Sequence, residues 1–362
     1  MLIIISIILA CIIILIGVLL LWSPGKPNPI LDKNGSPLLG SISEKIHISI
    51  NGMEQGMFIK SKDVTNPVLL FLHGGPGMPE YFLTKSYPPG LEDFFTVCWW
   101  ERRGSGLSYR ADIPPETMTV KQMISDTLEV TNYLRHRFGK EKIYLMAHSG
   151  GTFFGIQAAA RAPELYNAYI GVSQMSHQLK SERLAYEYMV MQFKENRNTK
   201  MVRKLEKAPP TLNVPLPDSY MLLRDKAMHS LGIGTTHGMK SVVFGVFFPV
   251  WQNREYTIGE KINIWRGKSF SSNLLWGEML ATDLTKQVTE LDLPVYFCSG
   301  RYDYTVSSTE AKSYFENLQA PKKGFYTFEH SAHSPMFEEP EKMLNILNED
   351  VLVGANNLAD VK

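Results

Sequence analysis

"KIYLMAHSGGTFFG", residues 142–155, packs an apolar run, a tight corner and the start of a helix into fourteen positions. Ile143 to Met146 suit a buried strand, and Phe153 to Ala160 suit a helix. Between them, Ala147, His148, Ser149, Gly150 and Gly151 share one corner. A sharp strand-to-helix turn lifts a serine hydroxyl clear of a sheet edge, at the cost of backbone strain. Strand and helix approach closely there, so only small residues fit two before and two after the serine, and Ala147 and Gly151 meet that demand. The first-turn N–H groups of the helix point at the same spot and favour negative charge. Ser149 is therefore the expected nucleophile.

A serine needs a base to take its proton and a third group to orient that base. In the order serine, acid, histidine, the chain offers Asp303, expected to end the strand "PVYFCSGRYD", and His333, in "EHSAHSP" just past the last strand. Both fall at the C-terminal edge of a parallel sheet, where open sheets place ligands. His330 competes as base, but three further residues carry His333 off the strand and over the site. "HGGPG", residues 73–77, follows another apolar run. An acyl-transfer site needs two N–H donors for a developing oxyanion, here expected from Gly75 and Gly150, and glycine permits the close backbone approach. His73 and His148 read as structural neighbours, and Arg102 and Arg103 in "RRGSG" as supports of a close turn.

Farther out, "SEKIHISINGMEQGMFIKS" reads as a hairpin turning at Asn51-Gly52. Short apolar strands then alternate with helical patterns, including Val120 to Phe138 stopped by Gly139, Ser308 to Leu318, and Met336 to Leu352. Alternation of this kind predicts an α/β fold: a doubly wound, mostly parallel sheet covered on both sides. Residues 175–288 break the rhythm with Met-rich and aromatic-rich helical stretches. The expected division is an anchor over residues 1–22, a Pro-rich spacer over 23–40, core over 41–174 and 289–353 with a helical cap at 175–288 between, and a tail at 354–362.

The N-terminus stands apart. Leu2 to Trp22 contains no charged residue and matches the roughly 20 apolar residues that span a bilayer. No basic residue precedes the run, and "LWSPGKPNP" lacks a small-residue cleavage site, so an uncleaved single-pass membrane anchor is expected, its side undetermined. Trp22 would sit at the interface.

The whole chain, 362 residues with 44% hydrophobic, 20% charged and a net charge of +1, has no basic excess to neutralise phosphates, so nucleic acid is not an expected partner. Cys11, Cys98 and Cys298 are too scattered for a disulfide framework. "RGKS" at 266–269 imitates the end of a phosphate loop but lacks the required glycine at 262. No cofactor is expected, and no metal.

"HGGPG", "WWERRGSGLS", the serine corner, "GRYD" and "AHSPMFEEPEKM" together resemble the α/β-hydrolase superfamily, and more narrowly its proline iminopeptidase-like branch. The resemblance implies a serine hydrolase with an inserted helical cap, acting as an aminopeptidase on small peptides or amino-acid amides. In that branch, cap acids hold the substrate's free amino terminus; Glu182, Glu187, Glu195, Glu206, Glu255 and Glu278 are the candidates here, each otherwise a solvated surface residue. The chain departs from the branch in carrying Gly150 where a tryptophan is common, and Glu101 where an aspartate is usual. Trp251, Trp265 and Trp276 read as cap core. Two other readings remain: hydrolysis of a carboxylic ester or lactone by the same residues, and a non-catalytic binding protein on this fold.

Overall fold

A computed structural model describes residues 2–211 and 213–362. Eight strands form one sheet: β1 (Ile42–Ile50), β2 (Met53–Ser61), β3 (Val68–Leu72), β4 (Thr96–Trp100), β5 (Ile143–His148), β6 (Tyr166–Val172), β7 (Val295–Gly300) and β8 (Lys323–Phe328). Their order is β1-β2-β4-β3-β5-β6-β7-β8. The β1–β2 and β2–β4 pairs are antiparallel, and every pair from β4 onward is parallel. Asn51 and Gly52 both take positive φ, 45° and 75°, which is what a tight two-residue hairpin turn requires.

The parallel strands are apolar throughout because both faces are covered. In β3, Val68, Leu70 and Leu72 enter one core cluster while Leu69 and Phe71 enter the other. The helices that cover the sheet and build the insertion are α1 (Leu2–Leu21), α2 (Val120–Phe138), α3 (Gly150–Arg161), α4 (Gln178–Glu195), α5 (Thr199–Glu206), α6 (Asp218–Leu231), α7 (Phe248–Gln252), α8 (Ile258–Ala281), α9 (Leu284–Gln287), α10 (Ser308–Asn317), α11 (Pro335–Glu338) and α12 (Pro340–Ile346). Local chemistry sets several ends. Thr119 caps α2 by accepting from the Gln122 N–H, and Gly139 stops it in the left-handed region at φ 59°. A capping box between Thr257 and Glu260 starts α8.

Two boundaries differ from the sequence reading. The helix expected over 336–352 is divided into α11, α12 and a π-turn at Leu347–Val351. Pro335 and Pro340 each stand at the first position of a separate helix, where the missing N–H costs nothing. Strand β7 stops at Gly300, so Asp303 lies in the following turn rather than on the strand. A side chain at Gly300 would begin 1.8 Å from the Ala332 carbonyl, so the strand end is fitted directly against the loop carrying His333.

Helices α4 to α9 lie between β6 and β7 and have an apolar cluster of their own, including Leu179, Met189, Phe193, Leu205, Tyr220 and Met228. Helix α8 crosses the loops after β3 and β4 at small residues. A Cβ on Gly267 would lie 2.7 Å from the Gly104 carbonyl, and one on Gly77 2.6 Å from the Ser271 Cβ. The glycine of the phosphate-loop imitation is thus a packing residue. At the other end of the chain, α1 is long and apolar enough to cross a membrane, with none of Ile4–Leu21 buried.

Candidate active site

Ser149 sits between β5 and α3 with φ 52° and ψ −126°, a conformation that L residues rarely adopt. Its neighbours show why the corner must be small. A Cβ on Gly151 would lie 2.3 Å from the Leu72 carbonyl, and one on Gly155 3.0 Å from the Ala147 Cβ. The Ser149 N–H donates to the Val172 carbonyl at 2.9 Å, tying the corner to the end of β6.

The three residues predicted to work together meet. His333 Nε2 lies 2.7 Å from Ser149 Oγ, and His333 Nδ1 lies 3.1 and 3.0 Å from the two Asp303 carboxylate oxygens. The Asp303 Oδ1 also accepts the Thr305 and Val306 N–H groups, at 2.9 and 3.0 Å, which fixes the carboxylate in its turn. Asp303 is 1% and His333 7% exposed, so the pair is held away from bulk water. His330 is exposed and its backbone N–H is engaged by Glu339, which leaves it outside the cluster.

Gly75 takes φ 54°, and its backbone lies against Gly150: a Cβ on Gly150 would come within 2.8 Å of the Gly75 carbonyl oxygen and 3.0 Å of its nitrogen. The two backbones expected to supply the oxyanion donors are therefore adjacent. Arg102 holds the loop from behind. Its guanidinium is fully buried and donates to the His73 carbonyl and, at 2.9 Å, to the Gly75 carbonyl. Burial, with Arg102 alongside, holds the His73 imidazole well below its usual pKa. Neutral His73 can then accept the Arg102 N–H at Nε2, 3.2 Å away. The expectation that Arg102 supports the fold holds, with the addition that the part it supports is this loop.

A second set of groups around the site had no clear signal in the sequence. Glu80 Oε1 lies 2.6 Å from His148 Nδ1, and His148 Nε2 lies 2.7 Å from the carbonyl oxygen of His333. Burial pushes the His148 pKa down, but the adjacent Glu80 carboxylate, with the His333 carbonyl and Asp303, offsets it, so the net shift is upward. A protonated His148 donates at both nitrogens, to Glu80 and to the His333 carbonyl. Ser173, at φ 51°, donates its hydroxyl to that same carbonyl at 2.9 Å. Glu338 accepts the Ala332 and His237 N–H groups at 2.9 and 2.6 Å, joining the His333 loop to the inserted segment.

The cavity over Ser149 is walled by apolar residues, among them Met78, Phe82, Met228, Val246 and Trp265. Trp265, expected in the cap core, thus also lines the cavity. The six cap glutamates do not line it. Glu182 is fully buried, paired with Arg224 at 2.6 Å and with the Tyr220 hydroxyl at 2.9 Å. Glu255 is buried among Lys60, Asn28 and Tyr81. Neither is the solvated residue expected, because each neutralises a partner remote in sequence; Glu187, Glu195, Glu206 and Glu278 are exposed. The carboxylates at the cavity are Glu80 and Asp225. Oε2 of Glu80 is buried without a hydrogen-bond partner. Glu101, in place of the branch's aspartate, is buried beneath the Tyr256 hydroxyl and the Leu107 N–H, and burial pushes its pKa up to about 8.

A family model described as the alpha/beta hydrolase fold matches residues 67–340. A probable aminopeptidase, YbaC of Bacillus subtilis (strain 168), is 33% identical over 311 residues, covering 85% of this chain and 96% of its own. A proline iminopeptidase of Saccharolobus solfataricus is 25% identical over 290 residues, covering 79% of this chain and 84% of its own. Among solved structures, the proline iminopeptidase of Mycobacterium smegmatis superposes with a TM-score of 0.61 over 86% of this chain and 98% of its own, at 15% identity, a likeness of fold. With its parallel sheet, the serine corner at the end of β5 and relatives that run nearly its full length, the chain belongs to the α/β-hydrolases, in their proline iminopeptidase-like branch, and is a hydrolytic enzyme.

Proposed function

We infer that the protein is a membrane-anchored serine aminopeptidase that removes N-terminal residues from small peptides or amino-acid amides, with Ser149, His333 and Asp303 as its triad. His333 Nε2 takes the Ser149 proton as Oγ attacks the carbonyl carbon, while Asp303 holds the imidazole and stabilises its charged form. The N–H groups of Gly75 and Gly150 receive the oxyanion. His333 returns the proton to the leaving amine, and a water, deprotonated by the same imidazole, then releases the acyl group. Residues 175–288 act as the cap that shields these steps from solvent.

The observation that carries the aminopeptidase reading is Glu80. Its side chain lines the Ser149 cavity and its Oε2 is buried without a partner, which suits a substrate ammonium group. Asp225 places a second carboxylate on the same cavity. The relatives' names point the same way. The apolar wall favours a second reading, hydrolysis of a carboxylic ester or lactone, whose alkoxide leaves more easily than an amine. A panel of aminoacyl-arylamides, their N-acetylated counterparts and short acyl esters separates the two. Cleavage of the free-amine arylamides with loss on acetylation is expected, and turnover of esters alone would overturn the peptidase reading. Helix α1 is assigned as the anchor, and recovery of the mature protein in the soluble fraction with a start after Trp22 would remove that assignment.

A further inference from the structure

We propose that the inserted segment Val242–Phe248 is a second membrane contact, a wedge that seats in the lipid–water interface beside the anchor helix and holds the Ser149 cavity against the bilayer surface. The proposal rests on reading α1 as the membrane anchor.

From Ser241 to Asn253, "SVVFGVFFPVWQN", no residue is charged, while Lys240 and Arg254 stand at the two ends. The chain winds there through a π-turn, Val243–Phe247, into α7. Gly245, Val246, Pro249 and Val250 are buried on the protein, which leaves Val243, Phe244, Phe247 and Phe248 together on the outer face. Phe244 is 75% exposed and Val243 52%. The aromatic rings are in mutual contact, Phe244–Phe248 at 5.6 Å and Phe247–Phe248 at 5.7 Å between centroids, so the exposed groups form one patch. Contiguous apolar surface of this kind marks a partner rather than chance exposure.

The occupant is identified by what lies next to the patch. Phe247 packs on Trp251 at 6.1 Å between centroids. The Trp251 carbonyl accepts from the fully buried Lys261 ammonium at 2.9 Å, and the same ammonium donates to Ser23 Oγ at 2.8 Å and to the Trp22 carbonyl at 3.3 Å. Trp22 is the first residue beyond α1, and the Gly25 N–H donates to the Arg254 carbonyl at 3.1 Å. The exit of the anchor is therefore bolted to the base of the apolar segment. A bilayer holding α1 has its surface at Trp22, beside this patch. Lys240 and Arg254, which flank the segment, and Lys26, just past α1, are exposed and suit anionic headgroups. The geometry is that of an apolar helix face lying in the interface with cations at its rim.

The same segment is a wall of the Ser149 cavity. Val242 and Val246 line it, and Trp265, another lining residue, contacts Phe247 at 5.7 Å. Seating the outer face in lipid places the inner face over the nucleophile, so the substrates within reach are amphiphiles that partition into the interface, such as acylated peptides or amides with a free amino group.

The test uses the full chain in vesicles of zwitterionic and anionic phospholipid, with thiol-reactive fluorophores and bromine-labelled acyl chains as quenchers. Cys98 and Cys298 are buried, so native Cys11 reports on α1. In a Cys11→Ser background, Phe244→Cys reports on the wedge. Val353→Cys is the solvent reference: it is 68% exposed and precedes Gly354, whose carbonyl accepts from Lys322 just before β8, opposite the Ser149 edge. A wedge seated ~5–10 Å into the boundary should lose at least about half of its label emission to the bromines, with the label at 353 unaffected. An unquenched label at 244 overturns the proposal, whatever Cys11 reports. Quenching at 244 with none at Cys11 upholds the wedge and overturns the anchor.

Discussion

Gly150→Ala isolates the oxyanion hole with one methyl group. The new Cβ would lie 2.8 Å from the Gly75 carbonyl oxygen, 2.9 Å from its carbonyl carbon and 3.0 Å from its nitrogen. Ordinary contact begins near 3.4 Å, so the two backbones must separate by about 0.4 to 0.6 Å, which reaches the ~0.5 Å tolerance of a catalytic constellation. Gly75 has little freedom to retreat, because the buried Arg102 guanidinium holds its carbonyl at 2.9 Å and grips the His73 carbonyl too. Losing one oxyanion donor costs about 100- to 1,000-fold in kcat, or ~3–4 kcal/mol. The expected outcome is therefore a fall of that size in kcat on both arylamides and esters, with KM little changed.

Stability should move far less, since alanine in the first turn of α3 restricts the unfolded chain and recovers up to ~1 kcal/mol. Steady-state kinetics, the rate of fluorophosphonate labelling and a thermal melt separate the two effects. A variant with kcat within roughly threefold of the parent and an unchanged labelling rate would refute the assignment of Gly75 and Gly150 as the donor pair. A tryptophan at position 150 would bring the same Cβ to 2.8 Å from the Gly75 carbonyl oxygen, so the loop as it stands favours glycine there.

Asp303→Asn, which keeps the shape but favours the wrong imidazole tautomer, should lower kcat by about 10,000-fold with a small change in melting temperature; near-normal turnover would remove Asp303 from the triad. Glu80→Gln should lower kcat/KM for free-amine arylamides by roughly 10- to 100-fold, the worth of a charge-assisted hydrogen bond, and cost N-acetylated or ester substrates less. Equal losses on all substrates would mean that Glu80 acts only through His148. Glu338 has a pKa raised to about 7, because burial outweighs the N–H groups of His237, Ala332 and Ser334 that favour its charged form. A folded pKa above the ordinary 4.5 means that its contribution to stability is complete below about pH 4.5 and lost as pH rises to about 7. Relative to Glu338→Gln, the parent should lose at most about 3 kcal/mol across that window in chemical denaturation. The offset from an amide facing the His237 N–H leaves this slope intact, and an opposite slope would contradict the reading.

Features governed by neighbours in sequence were legible in advance. The Asn51-Gly52 turn, the apolar strands and the small residues around Ser149 each follow from local sterics. The placement of Ser149, Asp303 and His333 at one edge follows from the direction of a parallel sheet. Legibility failed where a residue's state depends on a distant one. Glu182 resembled any solvent-facing helix acid until Arg224, 42 positions away, is set against it. Glu80 follows the glycine loop with no periodic signal, and only the fold brings it to His148, 68 positions on. The sequence places Asp303 at a strand end because "YFCSG" continues smoothly into "RYD", whereas Gly300 is stopped by the Ala332 carbonyl of a loop formed later in the chain. The proline at 340 did carry a local signal, since it starts a new helix, and a single helix over 336–352 overlooked it.

The attachments of the inserted helices decide how a substrate could reach Ser149. The Gly234 carbonyl accepts the His333 N–H at 3.3 Å, Glu338 grips the His237 N–H, and the His237 ring stacks on Tyr302 at 4.1 Å. On the other side, Gln178 donates to the Thr305 carbonyl at 2.8 Å, Ser181 Oγ accepts the Ser307 N–H at 3.2 Å, and Tyr188 stacks on Tyr304 at 4.1 Å. These bonds fall on the same two turns that carry Asp303 and His333. Lifting the helices as a unit would therefore pull on the acid and the base together and dismantle the site it exposes. Helix α8 is pinned as well, by Gly267 against Gly104 and by Lys261 against Trp22. Opening compatible with an intact triad is confined to a part of the insertion that bonds to neither turn. Val242–Phe248 fits that description: it walls the cavity, its outer face is apolar, and through Trp251 and Lys261 it stands beside the end of α1. With the proposed wedge seated in lipid, access to Ser149 and membrane contact would fall to the same seven residues, and the lipid surface would be part of the substrate's route.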